Sequence, residues 1–556
     1  MKLRIDDNGW KQQGVLLKKS ISERIPVEYT EEGLSIVLHI DSSIGPDESY
    51  KITEENGGFS IIGSNEMGLF YGIGKFLHTA RWNEREFVPS PPCGVVTPAC
   101  SFRASYFAVH CYNWYQMAPQ EELEAYLEDM LLWGYNAIVC IVPILNIDSF
   151  DDELFFESVK KTRAIYQLAK QVGMKIGIII CPNQGHRNVP KELEADYSYD
   201  PTGKIRPHGG NNICPSKHGA VDYLENIWHA LLGAYQDIGL DYIISWSYDE
   251  GGCGCDECRP WGAKAYCDLV NELYKESMKV YPNAKFIVST WLFDAICDEG
   301  EYEGLYHRLT EDMSYADYLM IDAPGSFPNY PLEHKVIKPI VNFPEISMWG
   351  LYPWGGRGAN PLLKRFQDNW NRAKGVLQGG MPYSEGLYED ISKIQFIGYY
   401  WEPNKHYRDI LKEYISYYYS EEVFADAIEM MELIEENHIT VARGDKPNRE
   451  VGVRSAQLAV SIEKRLGEQA RQSWRWRVLY IRAKLDDILY RTFLDNHMEG
   501  EQVLQDLKRT REYLIDDNNE AQELLQELCR YYHSVDKTPE NRYTFPPVKN
   551  GKVRKI

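Results

Sequence analysis

The sequence predicts an α/β protein built on a (β/α)8 barrel, with a small N-terminal α/β domain and a C-terminal all-helical domain. Three observations predict it. Between residues 98 and 405, short apolar runs alternate with amphipathic helical segments, and eight such runs over about 300 residues are what a closed parallel barrel requires. Ahead of them, the proline-rich stretch Pro89-Ser90-Pro91-Pro92 marks a linker. After Pro403 the apolar spacing turns to three and four residues throughout. The expected domains are therefore 1–97, 98–405 and 406–556.

In the first domain, residues 34–40, 49–52 and 59–62 read as strands. Residues 66–81 carry Met67, Phe70, Ile73, Gly74 and Leu77 at helical spacing, with Ser64 or Asn65 as the cap. The barrel strands are expected at 102–109, 136–142, 175–181, 242–247, 286–291, 318–321, 346–350 and 376–379. One barrel helix opens at Pro119, carries the stripe Leu123, Tyr126, Leu127, Met130 and Leu131, and closes at Gly134. Another is expected over 220–238. A doubly wound open sheet is the alternative. No Gly-x-Gly-x-x-Gly follows a strand, so the dinucleotide-binding version of that alternative lacks its main support. The C-terminal helices are expected at 407–419, 423–436, 455–468, 474–494, 501–513 and 520–532, followed by a basic, proline-containing tail.

Composition narrows the function. With 44% hydrophobic and 26% charged residues, wholesale disorder is excluded. No run of about 18 apolar residues occurs, so no membrane-spanning helix is expected. A net charge of −22 repels a phosphate backbone and argues against nucleic acid as a partner. The opening Met1-Lys2-Leu3-Arg4-Ile5 has no apolar leader, which places the expected location in the cytoplasm. Twelve cysteines in 556 residues are too few for a disulfide scaffold.

Barrel chemistry comes from strand C-termini and the loops after them. Those positions hold His110, His186, the pair Asp249-Glu250, Trp291, Asp322, Trp349, Tyr352, Trp354, Tyr383 and Glu385. Carboxylates ringed by aromatics suit a sugar, whose hydroxyls need acceptors and whose apolar face needs a flat wall. Asp249-Glu250 is the sharpest feature. Glycoside hydrolysis needs a proton donor and negative charge near the anomeric carbon, and adjacent carboxylates raise one pKa toward neutrality. Adjacent side chains on a regular strand diverge, but Gly251-Gly252 lets the backbone turn so that both reach one pocket. The other reading of the pair is an exposed acidic loop.

Cys253-x-Cys255-x-x-Cys258 has spacing suited to a tetrahedral metal, most readily zinc, with Cys214 as the fourth ligand. Such an ion would be structural and would take no part in catalysis, which requires no cofactor. The competing reading is a set of reduced thiols in a glycine-rich turn.

Taken in order, Phe102-Arg103, Gln184-Gly185-His186, Asp249-Glu250 and Gly380-Met381-Pro382-Tyr383-Ser384-Glu385-Gly386 resemble the family 20 glycoside hydrolases, the β-N-acetylhexosaminidases. More broadly they resemble the superfamily that includes the α-glucuronidases. The segment Gly68-Leu69-Phe70-Tyr71-Gly72-Ile73 is similar to the small domain that precedes the barrel there, so the likeness spans residues 1 to about 405. It implies retaining, substrate-assisted hydrolysis, in which the 2-acetamido oxygen attacks the anomeric carbon. Glu250 would protonate the leaving oxygen and then activate water. Asp249 would hold the acetamido N–H, and Tyr352 the acetamido oxygen. Arg103 and Glu385 would bind ring hydroxyls, Trp291, Trp349 and Trp354 would form walls, and His186 would support the acid.

The chain departs from the family pattern at Trp246-Ser247-Tyr248, where a His and two glycines are usual, and at the thiol run. Residues after Glu385, including Asp390, Trp401 and Glu402, are similar to the α-glucuronidase branch. The sugar and anomer therefore stay open. An inverting enzyme would use Glu250 as acid with Asp322 or Glu385 as base. The expected partner is an oligosaccharide or glycan fragment. A non-catalytic carbohydrate-binding protein is the reading from a different class, and the helical domain could build a homodimer interface.

Overall fold

The computed structural model describes residues 1–83, 85–92, 94–109, 113–144, 147–197, 212–248, 251–295, 298–323, 325–346, 359–496 and 502–533. Within the first hundred residues, six strands form one mixed sheet in the order Glu28–Tyr29, Lys2–Asp6, Leu34–Ile40, Gly58–Gly63, Tyr50–Glu55, Gly94–Val96. Asn56 and Gly57, both at positive φ, turn the Tyr50–Glu55 and Gly58–Gly63 hairpin. The helix Glu66–His78 is capped by the Asn65 side chain, which accepts from the Gly68 N–H at 2.9 Å. A Cβ on Gly74 would sit 1.8 Å from the Leu132 carbonyl oxygen, so this glycine permits the helix to press against barrel helix Gln120–Trp133. Strand Lys2–Asp6 and helix Lys11–Ser22 were not expected; the strand carries only Leu3 and Ile5 as apolar residues.

The barrel is closed. Its strands are Phe102–Phe107, Ala137–Ile141, Lys175–Ile180, Tyr242–Ser245, Lys285–Ser289, Tyr318–Met320, Ile340–Asn342 and a split eighth strand, Leu377–Gly380 with Tyr383–Ser384. Each pairs in parallel with the next, and both pieces of strand eight pair with strand one. Inward residues alternate along every strand: Phe102, Ala104 and Tyr106 on strand one, Val139 and Ile141 on strand two, Tyr242 and Ile244 on strand four. The helix closing at Gly134 runs Gln120–Trp133, with Gly134 in the left-handed region at φ 102°.

Strand seven corrects one expectation. It is Ile340–Asn342 rather than 346–350. Pro339 and Pro344 bracket it, and a three-residue strand among the four residues between them leaves too short an apolar run to stand out. Phe343 therefore occupies the strand-end position that had been given to Trp349.

Arg103 is a second correction. It lies at the start of strand one, fully buried, facing the N-terminal domain rather than the strand C-termini. Its guanidinium donates to the Glu48 carboxylate at 2.7 Å and to the carbonyls of Gly134 and Cys100 at 2.8 Å each. Tyr71 and Trp401 flank it. Its donors are taken up at the bottom of the barrel, where it joins the two sheets.

Beyond the barrel the described chain is helical, from Tyr407–Tyr418 to Asn519–Tyr532. Arg475 on helix Trp474–Asn496 donates to Asp390 at 3.0 Å and Asp129 at 2.7 Å, tying the helical region to two barrel helices. Tyr126 and Tyr414 donate to the same Asp390 carboxylate. The expected tail after residue 533 lies outside the described residues.

Arg103→Met should cost about 3 to 5 kcal/mol in chemical denaturation, because it strands the Glu48 carboxylate beside a buried surface. Adding Glu48→Gln should restore part of that loss. Additivity of the two changes would show that the pair is not coupled.

Candidate active site

The inner layer nearest the strand C-termini is aromatic. Trp246, one residue past strand four, stacks on Trp291 with ring centres 5.4 Å apart and planes 29° apart. Phe343 meets Trp246 at 5.0 Å and Trp291 at 5.7 Å, and Tyr383 joins Phe343 at 5.8 Å and Tyr106 at 5.3 Å. These five rings form the floor beneath the barrel mouth. Trp291 lies two residues past the end of strand five, in this inner layer. Trp246 and Phe343 were missed as wall residues, although strand alternation would have found Trp246 two residues after Ile244.

Glu385 follows the second piece of strand eight and is 2% exposed. Its carboxylate accepts from the Tyr383 hydroxyl at 2.8 Å and the Tyr388 hydroxyl at 3.1 Å. A second buried carboxylate, Glu389, accepts from the backbone N–H groups of Glu385 and Gly386 and from the Ser384 hydroxyl. Lys393 donates to Tyr115 Oη at 2.8 Å and to the Gly386 carbonyl at 2.8 Å, and Tyr115 lies 2.6 Å from Ser384. Burial pulls the Lys393 ammonium below its usual range, while Glu389 and Asp390 oppose that shift. This Lys393–Tyr115–Ser384–Glu389 chain holds the Glu385 backbone in place. Sequence reading missed it, since helix Asp390–Trp401 brings Lys393 back beneath the strand.

Asp249 and Glu250 lie outside the described residues, as do His110, Trp349, Tyr352 and Trp354. The chain on both sides of the Asp-Glu pair is fastened. Before it, the Ser247 hydroxyl donates to the Trp291 carbonyl at 2.8 Å, and the Trp261 indole donates to the Ser247 carbonyl at 2.9 Å. The Tyr248 hydroxyl donates to Glu301 at 2.6 Å. After it, the Asn183 side chain accepts from the Gly252 N–H at 3.1 Å and donates to the Gly252 carbonyl at 2.9 Å. Asn183 also donates to the Ile213 carbonyl at 3.1 Å, joining the loops after strands three and four. A Cβ on Gly251 would meet the Ser247 carbonyl oxygen at 2.5 Å, and Gly252 sits at φ 117°, so the turn needs both glycines.

Glu301 is fully buried at the start of helix Glu301–Glu311. Besides Tyr248, it accepts from the Gly262 N–H at 2.6 Å and the Asp294 N–H at 3.0 Å, so one carboxylate braces the loops after strands four and five. Burial pushes its carboxyl up to about 7 against the pull of those donors. Neither Glu301 nor Asn183 carries a sequence signal of this role.

Asp322, two residues past strand six, accepts from the Ala323 N–H at 2.9 Å and the Phe343 N–H at 3.1 Å. Burial pushes its carboxyl up to about 7, the range of a group that exchanges protons at neutral pH. His186 is engaged on both ring nitrogens: Nδ1 accepts from the Asn188 N–H at 3.3 Å, and Nε2 pairs with the Tyr223 hydroxyl at 3.1 Å. Burial lowers its pKa, favouring the neutral ring. The imidazole thus braces the loop after strand three against helix Ala220–Gly233.

Cys214, Cys253, Cys255 and Cys258 come together at the outer end of the same two loops. Cys214 Sγ lies 3.7 Å from Cys255 Sγ and 3.8 Å from Cys258 Sγ, and Cys253 Sγ lies 3.7 Å from Cys255 Sγ.

No family model matches the sequence, and no curated protein matches it. The solved structures that match include glycoside hydrolases of several families. A family 138 enzyme that targets pectin rhamnogalacturonan II aligns over 96% of this chain and 93% of its own, with 11% identity and a TM-score of 0.56. A family 89 enzyme from Clostridium perfringens, in complex with GlcNAc-α-1,4-galactose, aligns over 94% of this chain and 64% of its own, with 11% identity and a TM-score of 0.58. The family 20 β-N-acetylhexosaminidase of Streptomyces coelicolor aligns over 75% of this chain and 91% of its own, with 14% identity and a TM-score of 0.49. The chain thus shares the fold of the family 138 and family 89 glycoside hydrolases.

Glu301 predicts a pH dependence of stability. Its folded pKa, about 7, stands above its ordinary 4.5, so the stability it contributes is complete below about pH 4.5 and is lost as pH rises through about 7. The full span is on the order of 3 kcal/mol. Urea unfolding between pH 5 and 8 should show a smaller pH slope for Glu301→Gln than for the wild type; equal slopes would refute the assignment.

Proposed function

We propose that the chain is an exo-acting glycoside hydrolase whose sugar pocket is the aromatic mouth of the barrel. The observation that carries this reading is the Glu385 carboxylate, pinned by Tyr383 and Tyr388 and joined through Tyr383 and Phe343 to the Trp246–Trp291 stack. An oriented acceptor beside flat aromatic walls matches the two faces of a pyranose. The fold shared with glycoside hydrolases agrees with it.

The finer reading is a retaining β-N-acetylhexosaminidase with substrate-assisted catalysis. Glu250 serves as general acid and then base. Asp249 holds the acetamido N–H and stabilises the charge that develops on it. Tyr352 donates a hydrogen bond to the acetamido oxygen and orients it toward the anomeric carbon. Glu385 binds ring hydroxyls, with Trp291, Trp349 and Trp354 as walls. The fastened residues on either side of Asp249-Glu250 support it, since an acid that must meet one oxygen needs a rigid strand end.

Asp322 favours a second reading. A carboxyl poised near pH 7 at the end of strand six suits the base of an inverting enzyme, with Glu250 as acid. A uronic acid substrate belongs to this branch. The anomer released distinguishes the two mechanisms.

A panel of aryl β-N-acetylglucosaminide, β-N-acetylgalactosaminide, α-N-acetylglucosaminide and glucuronide substrates tests the proposal. The α-linked sugar is included because the family 89 neighbour was solved with one. Hydrolysis confined to β-acetamido sugars is expected, with Glu250→Gln and Asp249→Asn each lowering kcat about 10²- to 10⁴-fold. Glucuronide cleavage without acetamido-sugar cleavage would overturn the hexosaminidase reading. Sugar binding without turnover on any substrate would overturn the enzyme.

A further inference from the structure

We infer that Cys214, Cys253, Cys255 and Cys258 bind one zinc ion as a closed tetrathiolate, and that the ion rivets the loop after strand three to the loop after strand four. The inference stands apart from the glycosidase reading.

The sulfur positions carry it. All four Sγ atoms lie within 4.8 Å of one another, and three of the separations are 3.7 to 3.8 Å. A tetrahedral ion with Zn–S bonds of about 2.3 Å requires sulfur-to-sulfur edges of about 3.8 Å. A disulfide would need sulfurs about 2.05 Å apart. The four groups converge from two loops well separated along the chain, and local spacing alone would not bring Cys214 there. Three of the four cysteines are buried, and Cys255 is half-buried.

The surroundings are those of a thiolate site. The Asp196 N–H points to Cys253 Sγ at 3.4 Å, and the Ser216 hydroxyl lies 3.0 Å from Cys214 Sγ and 3.7 Å from Cys255 Sγ. Such donors orient sulfur ligands and offset their negative charge. Four soft thiolates select zinc over magnesium or calcium, which take oxygen. On binding, each thiol passes its proton to solvent and no electron moves. Four protein ligands leave no open position for water, so the ion is structural.

Its placement explains its use. The loop after strand three is long, and its outgoing segment meets Cys253–Gly254 where the Gly254 N–H donates to the Asp196 carbonyl. Asn183 ties the inner ends of the two loops at Gly252, and the sulfur cluster ties their outer ends. Gly252, held by Asn183, directly precedes Cys253 of the sulfur cluster.

Full-length protein purified without added metal or chelator should carry one zinc per chain by mass spectrometric metal analysis. Exchange with Co²⁺ should give thiolate-to-cobalt charge-transfer absorption and the visible bands of a tetrahedral ion. Cys255→Ser with Cys258→Ser should reduce zinc to trace levels. Cys267→Ser, which alters a buried thiol outside the cluster, should keep the metal. Because the double variant could fail to fold, the wild-type cobalt spectrum decides independently. Trace metal in the wild type with no cobalt spectrum, or a disulfide between any two of the four in a non-reducing peptide map, would overturn the site. None of these measurements depends on glycoside turnover.

Discussion

The closure of the parallel sheet between strand eight and strand one is the constraint on which the rest depends. Both pieces of strand eight pair with strand one, so every strand has two neighbours and no barrel edge is left open. Closure sends alternate residues inward and brings eight strand ends to one rim. The five aromatic rings at that rim come from strands one, four, five, seven and eight, which no open sheet would gather around a common axis. Closure also consumes buried backbone polarity, leaving side chains to organise the loops.

The loops above the rim are organised by buried polar groups that each serve several partners. Asn183, Glu301 and Glu389 all take backbone N–H groups from loop segments that have no helix or strand partner. A buried carboxylate is costly alone, and burial duly raises the pKa of Glu301. Accepting three donors offsets that cost and gives the loops one geometry. Such a frame holds the loops above the rim in one arrangement without helix or strand partners. At the opposite end of the barrel, Arg103 does comparable work for stability by joining strand one to Glu48 of the first domain.

Much of this was legible in one chain. Alternating apolar runs and helical stripes placed seven of the eight barrel strands, and the Gly134 stop and the Asn65 cap fell where local rules put them. Strand seven was misplaced because a three-residue strand between prolines has almost no periodicity. Arg103 was misassigned because the family resemblance outweighed its place as the second residue of strand one, at the end away from the strand C-termini, and because its partner Glu48 lies far off in the chain. Lys393 and Glu301 were invisible for a related reason. Each is a charged residue in or at the start of a helix, and only packing reveals that it points inward.

What the sequence alone determined is the repeating order of strands and helices, the position of Glu385 just past a strand end, and the need for glycine at 251 and 252. These follow from periodicity and backbone sterics, which act over a few residues. The tertiary structure decided which side chains meet: that Arg103 faces away from the mouth, that Trp246 stacks on Trp291, and that Cys214 reaches three sulfurs far along the chain. Those contacts depend on barrel closure and loop packing, and a distance between residues remote in sequence has no local signature.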